Sequence, residues 1–348
     1  MAGSFAASVD TSLAVWSLGH PGRPAAEAAV ALGELSPREV AGLALGRSGP
    51  RLRLRAPAAP APRGAVTVGD ACAVRFGMKT GCNGFFHLKS KGGGRYESAL
   101  GGEVALAPDD VGPLLASLRE AAAPEEAAPA RVLFRPARPT PTAGAYVAAG
   151  EALGVQARPT CAGRSPWWLV APGRAPAPVL YPAKVCARAF AFLNRDGVWE
   201  DKKWHALFPR GDLEPWLLAL ALSATPVRLE IDRAARQLIG MQAIADIDCR
   251  VLAAAPFPAP AALAPLRPAL AACRAALARD PVTTDLPAML ARPAQAELDG
   301  LVGRALGLSA AAVAAGRREL LSRVASRLEH AAQVRRAVAA GPSFTVSE

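Results

Sequence analysis

Proline and glycine punctuate residues 65–256 so closely that every element there must be short. A proline breaks or kinks a helix interior and withholds a ladder hydrogen bond from a strand, and a glycine weakens either element by its conformational freedom. Runs rich in β-branched and aromatic residues predict strands at 131–135 (RVLFR), 167–170 (WWLV), 179–181 and 190–194. Helical patches are expected at 111–123, 143–153, 213–223 and 226–238. Short strands parted by turns, with helices scattered among them, suit a mixed α+β fold better than a doubly wound sheet.

Upstream of this region, two short apolar runs at 5–18 and 28–35 precede a stretch with four prolines between residues 49 and 63, which reads as an extended linker. Beyond residue 257 the composition turns to alanine, leucine and arginine. Leu320, Val324, Leu328, Ala331 and Val338 recur at three-, four- and seven-residue spacings. They predict a long amphipathic helix over 309–340, capped by Ser309 and stopped by Gly341 and Pro342. A preceding helix at 293–306, ending at Gly307, should fold back on it as a hairpin. Four parts follow: residues 1–48, a Pro/Arg-rich linker at 49–64, a mixed α/β domain at 65–256 and a helical tail at 257–341.

The chain carries 40 lysines and arginines against 29 acids, a net charge of +11, and the excess is segregated. Residues 131–210 hold twelve cations against four acids, and residues 71–96 hold five cations and no acid. Segregated positive charge suits a polyanion, because neutralising phosphates releases condensed counterions. A coding bias toward arginine and alanine also makes a chain basic, but it does not account for the segregation. The six cysteines fall into no CxxC or Cys/His spacing, so neither a zinc site nor a disulfide framework is indicated. The four histidines are scattered. No cationic segment followed by an apolar one opens the sequence, and no run of eighteen apolar residues occurs. Export and membrane spanning are therefore not expected, and a cytoplasmic location is.

Three stretches are dense in chemistry. In FGMKTGCNGFFHL (76–88), Gly77, Gly81 and Gly84 let backbone approach a ligand, while Lys79, Thr80 and Asn83 offer a cation, a hydroxyl and an amide. Such a loop suits a phosphate or a base edge, and it equally suits a plain turn. It is not a nucleotide P-loop, because its lysine precedes the glycine. In ARPTCAGRSPWWLV (157–170), Arg158 and Arg164 flank a Thr-Cys turn ahead of Trp167 and Trp168. Adjacent strand residues face opposite sides, so one ring enters the core and the other, taken as Trp168, stands out to stack on a base. The competing reading packs both rings on flanking helices. In FAFLNRDGVWEDKKW (190–204), Lys202 and Lys203 suit phosphate contact or simply a solvated hairpin end. Lys184 joins this set as a further cation of the basic segment.

Taken in order, these stretches resemble the C-terminal half of the adenine-specific DNA methyltransferases of restriction-modification and related defence systems, in which a catalytic domain precedes a target-recognition domain. FGMKTGCNGFFHL is similar to the opening of that recognition domain, and residues 145–170 to its glycine-glutamate helix end, arginine-rich turn and tryptophan strand. Residues 193–209 resemble its next hairpin, 214–248 its helix pair and closing strand, and 296–309 a short helical tail. Residues 5–18 resemble a late strand of the catalytic domain, which would make 1–48 a remnant of the methyltransferase sheet. The resemblance covers roughly residues 66–335.

Catalysis in that family needs an Asn, Asp or Ser followed by Pro-Pro and an aromatic, together with a glycine-rich turn for S-adenosylmethionine. The sequence contains no Pro-Pro pair. The resemblance therefore implies a DNA-recognition chain without catalytic residues or cofactor of its own. It implies as partners double-stranded DNA and a separately encoded methyltransferase subunit that carries S-adenosylmethionine. The DNA contacts it implies are Lys79, Thr80, Asn83, Arg158, Arg164, Trp168, Lys184, Lys202 and Lys203. An assembly subunit completing a separate enzyme, and an inactive fragment of a longer gene, are the alternative expectations.

Overall fold

A computed structural model describes residues 65–100, 102–238 and 241–340. The apolar runs at 5–18 and 28–35, the linker at 49–64 and the Gly341-Pro342 helix stop lie outside the described residues. Two large sheets organise the rest. The first has the order β13 (Trp199–Glu200), β6 (Val111–Leu115), β9 (Arg131–Phe134), β3 (His87–Gly92), β4 (Arg95–Ser98), β5 (Gly102–Ala105), with only β13–β6 parallel. The second runs β12 (Phe192–Leu193), β10 (Val179–Pro182), β14 (Trp204–Pro209), β2 (Cys72–Phe76), all antiparallel. Three small ladders complete the β structure. They are β1 (Ala65–Thr67) with β17 (Pro256–Pro258), β7 (Ala121–Ala123) with β8 (Glu126–Ala127), and β11 (Lys184–Val185) with β16 (Ile244–Asp246) and β15 (Arg236–Leu238).

The helices are α1 (Val68–Ala71), α2 (Asn83–Phe86), α3 (Pro141–Ala152), α4 (Pro159–Ala162), α5 (Pro215–Ser223), α6 (Thr225–Ala234) and α7 (Cys249–Ala254), then α8 (Pro260–Leu263), α9 (Arg267–Leu277), α10 (Leu286–Ala291), α11 (Pro293–Ala305) and α12 (Ala310–Ala340). The fold is α+β. No helix among the described residues is long and apolar enough to cross a membrane.

One buried cluster joins the four-stranded sheet to the helices: Val179 and Leu207 meet Leu218, Val227, Phe257, Leu270 and Leu298. Residues on both sides of position 256 share this core, and the junction itself falls inside β17. A second cluster serves the six-stranded sheet. Phe85 stacks on Tyr146 with ring centroids 4.3 Å apart, and the Tyr146 hydroxyl donates to the Phe85 carbonyl at 2.8 Å.

Several expected elements change character, each for a local reason. Residues 111–123 are not a helix but β6, a one-turn 3-10 segment (Leu118–Glu120) and β7. Pro113 has no N–H to give a helix interior, and Gly112 lets the Trp199 ring approach to where a Cβ would lie 2.8 Å from its Cδ1. The helix expected to reach 238 stops at Ala234, because residues 236–238 gain ladder partners in β16 while the Gln237 amide donates to the carbonyls of Asp232 and Ala235. The strand expected at 167–170 is absent: Leu169 N donates to the Pro166 carbonyl in a turn. A strand would send Trp167 and Trp168 to opposite faces, whereas the turn packs both against the Phe85 cluster. The strand expected at 190–194 shortens to β12, where Ala191 N is taken by the Ser223 hydroxyl instead of a ladder.

The tail follows its periodicity more closely. Ser309 Oγ accepts from Ala312 N at 3.2 Å and caps α12, and Gly303 lets α11 approach so near that a Cβ there would lie 2.4 Å from Val313 Cγ2. Leu320, Val324 and Ala331 are buried, while Leu328, between two of them, and Val338, near the helix end, are exposed.

Beneath β14, buried His205 links the sheet to α7. Its Nε2 lies 2.7 Å from the Ile247 carbonyl and its Nδ1 3.3 Å from Cys249 Sγ. A carbonyl can only accept, so Nε2 carries the proton and the thiol donates to Nδ1. Burial holds the imidazole pKa below its ordinary value, against the opposing pull of the Ile247 carbonyl and the nearby Asp248 and Asp246. The folded state thus keeps His205 neutral while the unfolded chain takes up a proton below about pH 6.5. Stability from this group is full above that pH and is lost as pH falls toward the folded value. The melting temperature is expected to drop between about pH 7 and 5.5, and His205→Gln to flatten part of that slope. An equal slope in both proteins, followed by circular dichroism, would exclude His205 as the cause.

Candidate nucleic-acid interface

The chain passes between the two large sheets twice at one place. Residues 77–82 lead from β2, an edge strand of the four-stranded sheet, through α2 into β3 of the six-stranded sheet. Residues 201–203 lead from β13 back into β14. The two crossings run side by side: Gly77 N donates to the Trp204 carbonyl at 2.9 Å, Met78 N to the Glu200 carbonyl at 3.3 Å, and Met78 forms a parallel bridge with Asp201.

A third segment, from Arg158 to Arg164, closes over them. Gly81 takes φ +86°, and a Cβ there would lie 2.8 Å from Thr160 Cβ and 2.9 Å from Cys161 Sγ, so both conformation and space require glycine. The Arg164 guanidinium donates to the Thr80 carbonyl at 2.6 Å and lies 5.2 Å from the Phe86 ring centroid.

These three segments enclose an open cleft of about 430 Å³ lined by Lys79, Thr80, Gly81, Cys82, Asn83, Arg158, Thr160 and Lys202. Lys79, Arg158 and Lys202 are exposed, and none of the lining residues is acidic. Thr80 is buried; its hydroxyl donates to Asn83 Oδ1 at 2.6 Å and accepts from Cys82 N at 3.2 Å. Under the cleft lies buried Asp201, which accepts from Lys203 N at 3.1 Å and from Asn83 Nδ2 at 3.5 Å. Its carboxylate also stands 3.8 Å from His87 Nε2. Burial depresses the His87 pKa, and the Asp201 charge opposes that shift. The Asn83 side chain is thereby oriented from both ends, yet its carbonyl and its amide nitrogen each retain capacity for one more hydrogen bond.

The sequence-predicted residues separate into two groups. Lys79, Thr80, Asn83, Arg158 and Lys202 meet in the cleft although they come from three distant parts of the chain. The others do not line the cleft. Arg164 braces the loop from behind, through Thr80 and Phe86. Trp168 does not stand free but is half-buried against the Phe85 cluster. Lys203 donates its Nζ to the Ala116 carbonyl at 3.0 Å, and Lys184 sits on β11 opposite Asp246, away from the cleft lining. Thr160, within the ARPTCAGR turn, and Phe76, which opens the glycine stretch, carry no sequence signal that marks them out.

No family model matches the sequence, and no curated protein matches it. Among solved structures, the chain is similar to the type IIG restriction endonuclease BpuSI, at 14% identity over 69% of this chain and 31% of that one, with a TM-score of 0.37. It is also similar to the type IIL restriction-modification enzyme MmeI in complex with DNA, at 13% identity over 76% of this chain and 36% of that one, with a TM-score of 0.47. The chain spans about a third of the length of each.

Proposed function

We propose that this chain recognises duplex DNA as the specificity half of a split or truncated adenine-specific DNA methyltransferase, with methyl transfer supplied by a separately encoded subunit that binds S-adenosylmethionine. The observation that carries the reading is the convergence of Lys79, Arg158 and Lys202, from three separate segments, on one concave face without an acid among its lining residues. Cations gathered in this way, with no carboxylate among the described lining residues, suit phosphates. Asn83, held by Thr80 and Asp201, keeps the donor and acceptor capacity that a bidentate contact to adenine uses, and Arg158 is the candidate for guanine. The sequence resemblance supplies the adenine-methyltransferase context, and the lack of a Pro-Pro pair in this sequence supports a reading in which another chain carries the chemistry.

The test is affinity for a panel of duplexes over a range of salt concentrations. Wild-type binding is expected to weaken steeply with salt. Replacing Lys79, Arg158 and Lys202 together by alanine should reduce the slope of log affinity against log salt by about 2 to 3, since each phosphate contact contributes about 0.9. Absent or salt-insensitive binding by the wild type would end this reading. Co-purification with a chain bearing the Pro-Pro motif, followed by methylation assays of each chain alone and of both together, tests the split-enzyme part. Activity is expected only when both are present.

A further inference from the structure

Cys72, Val74 and Phe76 share one face of β2, and that face runs off the end of the core. Cys72 is fully buried, Val74 packs against the core cluster, and Phe76 is 52% exposed. A single exposed phenylalanine is ordinary in a folded protein. This one is held in place and lies beside a cationic cleft. Its ring meets the ring of buried His205 edge-on, with centroids 5.5 Å apart and an interplanar angle of 61°, and His205 is itself fixed between Ile247 and Cys249. Lys79, which lines the cleft, places its Nζ 5.4 Å from the Phe76 centroid. Phe76 ends β2 one residue before the crossing that forms the cleft floor, and among the described residues β2 is the last strand on that side of the four-stranded sheet.

An immobilised aromatic ring with a cation against it and phosphate-binding groups beyond is the arrangement that holds a nucleotide, with base on ring and phosphate on cation. We propose that Phe76 stacks on a nucleobase that has come out of its stack in a duplex held by the cleft, with Lys79 on the adjoining phosphate. This rests on the reading of the cleft as a DNA-binding surface. An apolar protein partner fits less well, because Lys79 stands against the ring and would have to be desolvated with it.

The experiment compares a fully paired duplex of mixed sequence with the same duplex carrying one central mismatch, whose base leaves the stack at lower cost. Both are titrated with the full chain by fluorescence anisotropy. Wild type is expected to bind the mismatched duplex about tenfold more tightly. Phe76→Ala should bring the ratio to about one while leaving the salt slope, which the cations set, in place; Phe76→Trp should preserve the ratio. Melting curves establish that the variants are folded. A wild-type ratio near one, or a ratio unchanged in Phe76→Ala, overturns the stacking role and leaves the cleft reading standing. Failure to bind either duplex overturns both.

Discussion

Gly77→Ala is expected to destabilise the protein by about 3 kcal/mol or more and to weaken DNA binding with it. A Cβ at position 77 would lie 2.3 Å from the Asp201 carbonyl oxygen and 2.4 Å from that of Trp204. Both obstacles are backbone, so no side-chain rotation relieves them. One crossing must move away from the other, and that breaks the hydrogen bonds from Gly77 to Trp204 and from Met78 to Glu200. Because Lys79 rides on one crossing and Lys202 on the other, the same displacement spoils the cleft. Gly92→Ala provides the control: a Cβ there meets nothing within 4 Å, and only the φ of +81° opposes it. That strain costs about 1–2 kcal/mol and leaves the cleft alone. Denaturant unfolding and duplex affinity, measured on both variants, check the prediction. A Gly77→Ala protein as stable as wild type would mean that the two crossings are not in contact.

The second large effect is expected at Asp232. This buried carboxylate accepts from Arg323 Nε at 2.8 Å and from Arg327 Nη1 and Nη2 at 2.9 and 2.7 Å, tying α12 to α6. Exposed ion pairs are worth about 1 kcal/mol or less. Here Asp232 and Arg327 are nearly buried, so Asp232→Ala removes the carboxylate from two guanidinium groups, leaving them the Asp232 carbonyl and the Gln237 side chain, and should cost about 3 kcal/mol. A loss below about 1 kcal/mol in a urea titration would show that the apolar contacts of Leu320 and Val324 hold the helix alone. The acid response has a defined sign. Burial pushes the Asp232 pKa up, but the hydrogen bonds and charges of Arg327 and then Arg323 outweigh it, so the folded value lies below the ordinary one. The stabilisation is therefore complete above about pH 4 and is lost as pH falls through the depressed folded value. Hydrogen exchange along α12 should accelerate in the acid range before the core strands respond.

Where sequence and structure agree, a local rule decides. α12 begins after Ser309 because that hydroxyl caps it, and α3 and α5 each start at a proline in the first helical turn. β9 and β10 appear where apolar runs are bounded by turns. Disagreement arises where a long-range partner overrides such a rule. Leu114 and Leu115 fit a helix by spacing, but β9 on one side and β13 on the other offer them a ladder. The Trp167-Trp168 pair satisfies a strand pattern, yet the Phe85 cluster buries both rings from one side. Phe76 differs by no sequence signal from the apolar Cys72 and Val74 on the same face of β2; only the end of the core makes it a surface residue.

The sequence by itself determined the kinds of residue available to the site: a glycine loop bearing Lys79, Thr80 and Asn83, an arginine turn and a lysine pair, all within segregated positive charge. It also determined the α+β class, since closely spaced proline and glycine forbid long elements. The tertiary structure alone decided which of those cations act together. Lys202 and Lys203 are neighbours in the chain, yet one lines the cleft and the other is tied to the Ala116 carbonyl, because the turn between β13 and β14 aims them apart. Whether a cation is free depends on the carbonyls and carboxylates that folding brings to it, and residues far along the chain supply those.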